Sequence, residues 1–594
     1  MNGIRVTAIL VFALAFAGLP ARAQWTKQKH SEAPAAQQGP QAAPRTMDEV
    51  IQRIVLNESR TMNEITSHQP LVETYIQNLK EDKELGFIPA GDKYFIGRAD
   101  FSKGVNLIPL SEGGGKKKFG LGGIGRFFIT PFLPEGFLQM IFLDNTSFDR
   151  EHYKFDFVKR EFLGEIRCLV FDLTPQKRAG KGLFRGRIWV EDKDFNIVRF
   201  NGGYEGAKAS DYYHFDSWRT NVQPGLWMPS FVYSEERNLQ YALAKRLDFR
   251  AQTRLWGYNV GHASQEQELS RILVESSVDD QSQGANDLSP IQAQRQWDRQ
   301  AEQNVADRLE RIGVLAPRGE VDKVLETVVN NLEVTNNLDI QPEIICRVLM
   351  TTTLESYTMG HTIVLSRGLI DVLPDEASLA TILAHELGHV ILGHRLDSNY
   401  AFFDQLLIPD KDTFHHFYFA RTPTEELDAS TKALELLKNS PYKDHLGNAG
   451  LFLAAIEKRS KEIPNLVSPH LGDRIPLIAE LKSAPGAEGS DKSKQITALP
   501  IGGRVKIDPW DDKLSLIKAK PLGTLSEREK MPLEVTPFMP YLVRYGSAAS
   551  KLAPAQDPAA SAPPAADKPA EQPPAPGGPL VPAEKPKDAP PPSR

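Results

Sequence analysis

Cysteine is nearly absent from this chain: 594 residues carry only Cys168 and Cys346. Both lie in apolar, strand-like runs in different parts of the sequence, so they read as buried free thiols and exclude a disulfide framework. A charge excess of one sign is also missing. Lys and Arg number 70 against 76 Asp and Glu, the net charge is -6, and the signs are interleaved. That leaves no electrostatic footprint for nucleic acid. The one local basic cluster, Lys116, Lys117 and Lys118 after three glycines, reads as a solvated turn. Long apolar runs are scarce too. The stretch from Val6 to about Gly18 is too short to span a bilayer comfortably, and no later run is long and uncharged enough. No transmembrane segment is expected in the mature chain.

What is present begins with a charged start ending in Arg5, the short apolar core, and the small-x-small triplet Ala21-Arg22-Ala23. This pattern predicts a signal peptide over 1–23, cleaved near Ala23, and a periplasmic or secreted protein. No cysteine follows the triplet, which argues against lipid attachment there. The length predicts two or three domains. Residues 24–45 are Ala/Gln/Pro-rich and read as a disordered linker. From 46 to 261 a β-rich domain is expected. It opens with helical periodicity from Met47 to about Tyr75 and continues as short alternating strands at 153–157, 166–171, 186–190, 196–200, 228–233 and 246–250. These strands predict an antiparallel, curved, half-barrel-like sheet. The hairpin Arg187-Ile188-Trp189-Val190 … Ile197-Val198-Arg199 resembles those of lipoprotein-sorting half-barrels. That resemblance implies contacts with lipoproteins or other envelope proteins, beside a simpler role as structural partner.

Gly120-Leu121-Gly122-Gly123-Ile124-Gly125 matches GxGxxG, but no helix opening follows it, so a loop is expected rather than a dinucleotide site. Residues 262–310 are polar and read as a linker with some helix. Val321, Val324, Leu325, Val328, Val329 and Leu332 then mark an amphipathic helix opening a domain over 311–485. An extension over 486–547, with strand-like pieces at 503–507 and 514–517, is expected to pack against that domain. A Pro/Ala-rich tail, 548–594, reads as disordered.

The chemistry concentrates at His385-Glu386-Leu387-Gly388-His389, inside the apolar run 379–393. On a helix, residues four apart share a face, so both imidazoles can reach one ion with Glu386 beside them. A hydrolytic zinc site takes neutral imidazoles, keeps a position for water, and uses a nearby carboxylate to take that water's proton. A third protein ligand is then needed. His394, nine residues after His385, would fall on roughly the opposite side of a continuing helix. Leu392 and Arg395 exclude the metzincin pattern HExxHxxGxxH. His415 and His416 sit among Phe414, Phe417, Tyr418 and Phe419, which suggests packing. A second amphipathic helix, with Leu427, Ala433, Leu434 and Leu437 at helical spacing, carries Glu425 and Glu426 in its first turn. Only one of the two can face the metal.

From about Pro342 to Leu481 these residues resemble the zinc metallopeptidases of the HtpX, Oma and CAAX prenyl protease type. The resemblance rests on 343–350, on the strand and Arg-Gly-Leu of 361–370, and on the HELGHVILGH run. It implies an α+β zincin-like fold, one Zn2+ per chain held by His385, His389 and Glu426, and Glu386 as catalytic base. Two departures stand out: Ser430 where the family has an Asp supporting the catalytic helix, and Ser468 where it often has a His before Pro469 and Arg474. His470 is the candidate to cover the second loss, against a solvated loop histidine. An extended peptide would add to a sheet-edge strand, for which 361–366 is the candidate. The expected activity is hydrolysis of peptide bonds in envelope proteins. The rival is a latent peptidase fold acting as chaperone or binding protein, which the two serines favour.

Overall fold

The computed structural model describes residues 44–82, 86–101, 104–110, 134–144, 148–176, 182–205, 214–242, 245–258, 290–394, 419, 421–475, 481, 505–507, 514–516, 533, 535, 537 and 539–547. The signal segment, the 24–43 part of the first linker, the lysine cluster, the GxGxxG run, His415, His416 and the 548–594 tail lie outside the described residues.

Helix α1 (Met47–Ser67) is capped by Thr46, whose hydroxyl accepts the Glu49 N–H. It stops short of the expected Tyr75, because Pro70 precedes a strand beginning at Leu71. Ten strands follow: β1 (Leu71–Asp82), β2 (Gly86–Asp100), β3 (Asn106–Pro109), β4 (Tyr153–Leu163), β5 (Ile166–Pro175), β6 (Phe184–Glu191), β7 (Ile197–Tyr204), β8 (Phe215–Gln223), β9 (Leu226–Ala242) and β10 (Lys245–Trp256). They form one antiparallel sheet in the order β3-β2-β1-β10-β9-β8-β7-β6-β5-β4. The expected strand runs fall on β4, β5, β6, β7, β9 and β10.

Both faces of this sheet are covered, which explains why β5 and β7 bury consecutive residues, 168–171 and 197–202, instead of alternating. On β5, Leu169, Phe171 and Leu173 join a phenylalanine-rich core with α1, the short helix α2 (Pro134–Leu138) and the segment after it. Cys168 and Val170 face the other way, into a core continuous with the C-terminal half of the chain. Helix α1 is locked to the sheet by Glu58, which takes both Arg219 nitrogens at 2.6 and 2.7 Å, with each side chain buried.

The C-terminal half contains α3 (Pro290–Ile312), α4 (Glu320–Thr335), β11 (Ile345–Leu349), β12 (Glu355–Met359), β13 (Thr362–Ser366), α5 (Arg367–Val372), α6 (Glu376–Leu392), α7 (Pro423–Lys438), α8 (Leu446–Arg459), α9 (Pro464–Val467) and β14 (Asp473–Arg474). Its sheet order is β11-β13-β12-β14, with β11 and β13 parallel and the rest antiparallel. The molecule is therefore α+β. No helix among the described residues is long and apolar enough to cross a membrane.

Four expectations need correction. Residues 290–310, expected within a linker, form most of α3, which buries Ala301, Val305, Ala306 and Leu309 against Leu349 and Val364. Polar residues dominate its outward faces and mask that stripe. On α4, Leu325, Val328, Val329 and Leu332 are buried, but Val321 and Val324 are exposed. Strand β13 is central rather than an edge; β12 and β11 flank it. Finally, described residues of the 486–547 extension pack on the ten-stranded sheet. Gln77 donates to the Leu533 carbonyl at 2.6 Å and accepts the Val535 N–H at 2.7 Å. Glu165 N–H donates to the Leu542 carbonyl, and Arg544 pairs with Glu191. A short strand pair, β15 (Val505–Ile507) with β16 (Leu514–Leu516), matches the two pieces read from the sequence.

Candidate metal centre

Helix α6 is bounded by a cap at each end. The Asp375 carboxylate accepts the Ser378 N–H at 2.8 Å, and Gly393, at φ 69°, ends the helix in the left-handed region. Between them nearly every residue is buried, as in a helix enclosed on all sides. Polar side chains on such a helix need partners. Thr381 donates to the Ala377 carbonyl at 2.8 Å. Glu386 takes two hydroxyls from β12: Ser356 Oγ donates to its Oε1 and Thr358 Oγ1 to its Oε2, each at 2.6 Å.

His385 and His389 turn toward α7. Their Nε2 atoms are 3.2 Å apart, and the Glu426 carboxylate lies 3.2 Å from the first and 3.3 Å from the second. Tetrahedral zinc with ligand bonds of about 2.0–2.1 Å sets donor atoms about 3.3–3.4 Å apart. The two imidazoles and the carboxylate thus approach one another at that spacing, Glu426 Oε2 facing His385 and Oε1 facing His389. Glu426 Oε1 is buried and, though 3.3 Å from His389 Nε2, makes no well-directed hydrogen bond, a need that a cation would satisfy. Burial pushes the Glu426 carboxyl up, but its interactions with His385 and His389 outweigh burial and bring it down to about 2. The donor set, two imidazoles and a carboxylate, suits zinc.

Local capping separates the two glutamates. Thr422 opens α7 with Pro423 at the first helical position, and Glu425 folds back to accept the Thr422 N–H at 2.9 Å. The Thr422-x-x-Glu425 spacing of this capping box was the available sequence signal. Glu426, one position on, points at the histidines. The close approach of α6 and α7 depends on Gly388, where a Cβ would sit 2.8 Å from the Ala429 carbonyl oxygen. Ala429 and Ala433 are buried at this contact side of α7, whereas Leu427, expected on the apolar face, is two-thirds exposed (66%).

The outer nitrogens of the imidazoles are also held. Ser430 Oγ is 3.3 Å from His385 Nδ1, so Ser430 contacts the imidazole directly. His394 does not lie across the helix from the site. The helix ends at Leu392, the chain turns at Gly393, and His394 Nδ1 comes within 2.9 Å of His389 Nδ1. With His389 Nε2 offering its lone pair inward, His389 Nδ1 donates and His394 accepts. Burial and the neighbouring His389 push His394 down from its ordinary value, which suits a neutral acceptor. His470 is not a solvated loop histidine: its ring packs on Tyr94 at 4.5 Å, and its backbone N–H donates to Glu355. Arg474 lies on β14, in backbone register with Glu355 of β12. Sequence reasoning missed Ser356 and Thr358, although hydroxyls two apart in a strand share a face.

Residues 318–408 match the model of peptidase family M48. The match takes in His385, Glu386 and His389 and ends before Glu426, and it supports a metallopeptidase domain in this part of the chain. Comparison with curated proteins gives no match. Among solved structures, an outer membrane lipoprotein-sorting protein domain from Vibrio parahaemolyticus is similar at 11% identity and a TM-score of 0.19, covering 37% of this chain and 99% of its own. A LolA superfamily protein from Nitrosomonas europaea (11%, 0.17) and a DUF1329 family protein from Desulfovibrio piger (12%, 0.17) each cover 36% of this chain and 95% of their own. Likenesses this weak establish no function.

Proposed function

We propose that the protein is a zinc-dependent endopeptidase acting on proteins of the cell envelope, with one zinc held by His385, His389 and Glu426 and with Glu386 as the catalytic base. The observation that carries this reading is the spacing of 3.2, 3.2 and 3.3 Å among the two Nε2 atoms and the two Glu426 carboxylate oxygens. When bound, zinc supplies a Lewis acid that polarises the scissile carbonyl and makes water acidic enough to attack near neutral pH.

The chain's own residues divide the rest of the work. His385 and His389 present Nε2 inward because Ser430 and His394 engage their Nδ1 atoms. Glu426 contributes the negative charge that makes the site attractive to a dication. The Glu386 carboxylate takes the proton of the attacking water and returns it to the leaving amine nitrogen. Export after cleavage near Ala23, and substrate or lipoprotein contacts through the N-terminal sheet, belong to the same proposal.

Bound zinc per chain and cleavage of casein, measured for the wild type and for Glu386→Gln, test it. Zinc retained in both, with cleavage lost only in the variant, is the expected result. Cleavage that survives Glu386→Gln, or a wild type that takes up no zinc, sinks the reading.

A further inference from the structure

Glu386 is the one carboxylate of α6 whose two oxygens are both claimed by the neighbouring strand. Ser356 and Thr358 are two residues apart on β12 and so project from one face toward α6. Each hydroxyl has a single proton, and at 2.6 Å each spends it on a different oxygen of Glu386. All three residues are buried, at 2% exposure or less. The strand itself is fixed from its other face. Glu355 accepts the backbone N–H groups of His470, Leu471 and Gly472, and the Tyr357 ring stacks on Phe419 at 4.4 Å. On both flanks β12 is paired, with β13 along most of its length and with β14 at Glu355 and Ser356. The two hydroxyls therefore stand on a rigid element, the condition for holding a reacting group in one orientation.

We infer that Ser356 and Thr358 are positioning residues for the proposed base: they fix the plane of the Glu386 carboxylate in the orientation from which it takes and returns a proton. The inference rests on the peptidase reading and deepens it. A carboxylate free to rotate about its last torsion samples many orientations, since that torsion is broad. Two donors, one on each oxygen, remove the freedom while leaving each oxygen a lone pair for the transferred proton.

The test uses the full chain. Thr358→Val keeps the shape and removes the donor, Thr358→Ser keeps the donor, and Ser356→Ala removes the other. In the zinc-loaded protein, Thr358→Val and Ser356→Ala are each expected to lower kcat about ten- to hundredfold, as loss of partners supporting a site does. KM and bound zinc should stay as in the wild type, and Thr358→Ser should recover most of the rate. In the metal-free protein, the melting temperature is read for Thr358→Val, Glu386→Ala and the double variant. The drop caused by Thr358→Val should shrink markedly once the Glu386 carboxylate is gone. An unchanged kcat in Thr358→Val, or an equal melting-temperature drop with and without Glu386, overturns the inference. A zinc-loaded wild type that cleaves nothing would overturn the peptidase reading instead, and the metal-free cycle would still decide whether the hydroxyls hold the carboxylate.

Discussion

Glu73, on the first strand of the large sheet, accepts both the backbone N–H and the hydroxyl of Thr352, at 2.5 and 2.6 Å, across a sequence separation of 279 residues. Tyr94 donates to the same carboxylate at 2.8 Å, and its ring carries His470. One strand over, Asp92 accepts the N–H groups of Asn465 and Leu466. The N-terminal sheet thus grips the two segments that flank β12, the strand whose hydroxyls hold Glu386.

That grip has a pH signature. Burial raises the Glu73 carboxyl above 4.5, against the lowering hydrogen bonds from Thr352 and Tyr94. A folded-state value raised above the unfolded one stabilises the fold fully below the unfolded value, and the contribution is lost as pH rises through the folded value. The melting-temperature advantage of the wild type over Glu73→Gln should therefore shrink as the pH rises from 4.5 through the raised folded-state value. A difference that stays constant across that window would refute the assignment.

Zinc content separates the adjacent glutamates of α7. Glu426→Ala should lose most of the bound zinc. Glu425→Ala removes only a capping interaction, costing about 1 kcal/mol of stability and leaving zinc in place. Equal zinc loss in the two variants would mean that the carboxylate register is wrong.

Gly388→Ala gives a sharper test of the helix crossing. Alanine favours a helix interior over glycine by about 1 kcal/mol, so α6 alone would gain. The new Cβ would press on the Ala429 carbonyl and push Glu426 away from the histidines. Zinc affinity is expected to fall about tenfold or more. If affinity holds, the close approach does not set the site.

Glu58→Ala leaves the Arg219 guanidinium buried without its carboxylate and should cost about 3–5 kcal/mol. Replacing both, as Glu58→Met with Arg219→Leu, should cost less than either single change. Urea unfolding of Glu58→Ala, the two single changes and the double variant decides it, and a double variant weaker than both of its singles would count against the buried-charge argument.

Much of this was legible in the residues, for a physical reason. A local period determines which face of an element a side chain occupies, so HExxH at helical spacing put His385 and His389 side by side, and the alternation at 153–157 and 166–171 marked strands of an antiparallel sheet. Local signals fail where distant segments decide. The first residues of strand β1, Leu71 to Tyr75, were read as continuing the helix because one of the strands they pair with, β10, lies about 180 positions along the chain. The helix at 290–312 looked like a linker because its apolar stripe is narrow and only the fold supplies the surface that covers it. His394 was placed across a helix that Gly393 had already ended. The approach of Glu426 to His385 while Glu425 caps its own helix, the contact of Ser430 with His385, and the hold of Ser356 and Thr358 on Glu386 all join residues at least 28 positions apart or turn on a cap. Sequence periodicity fixes orientation within one element, whereas distances between elements are fixed only by how their backbones pack. In this protein the packing is set by a glycine against an alanine and by a second sheet locked onto the first.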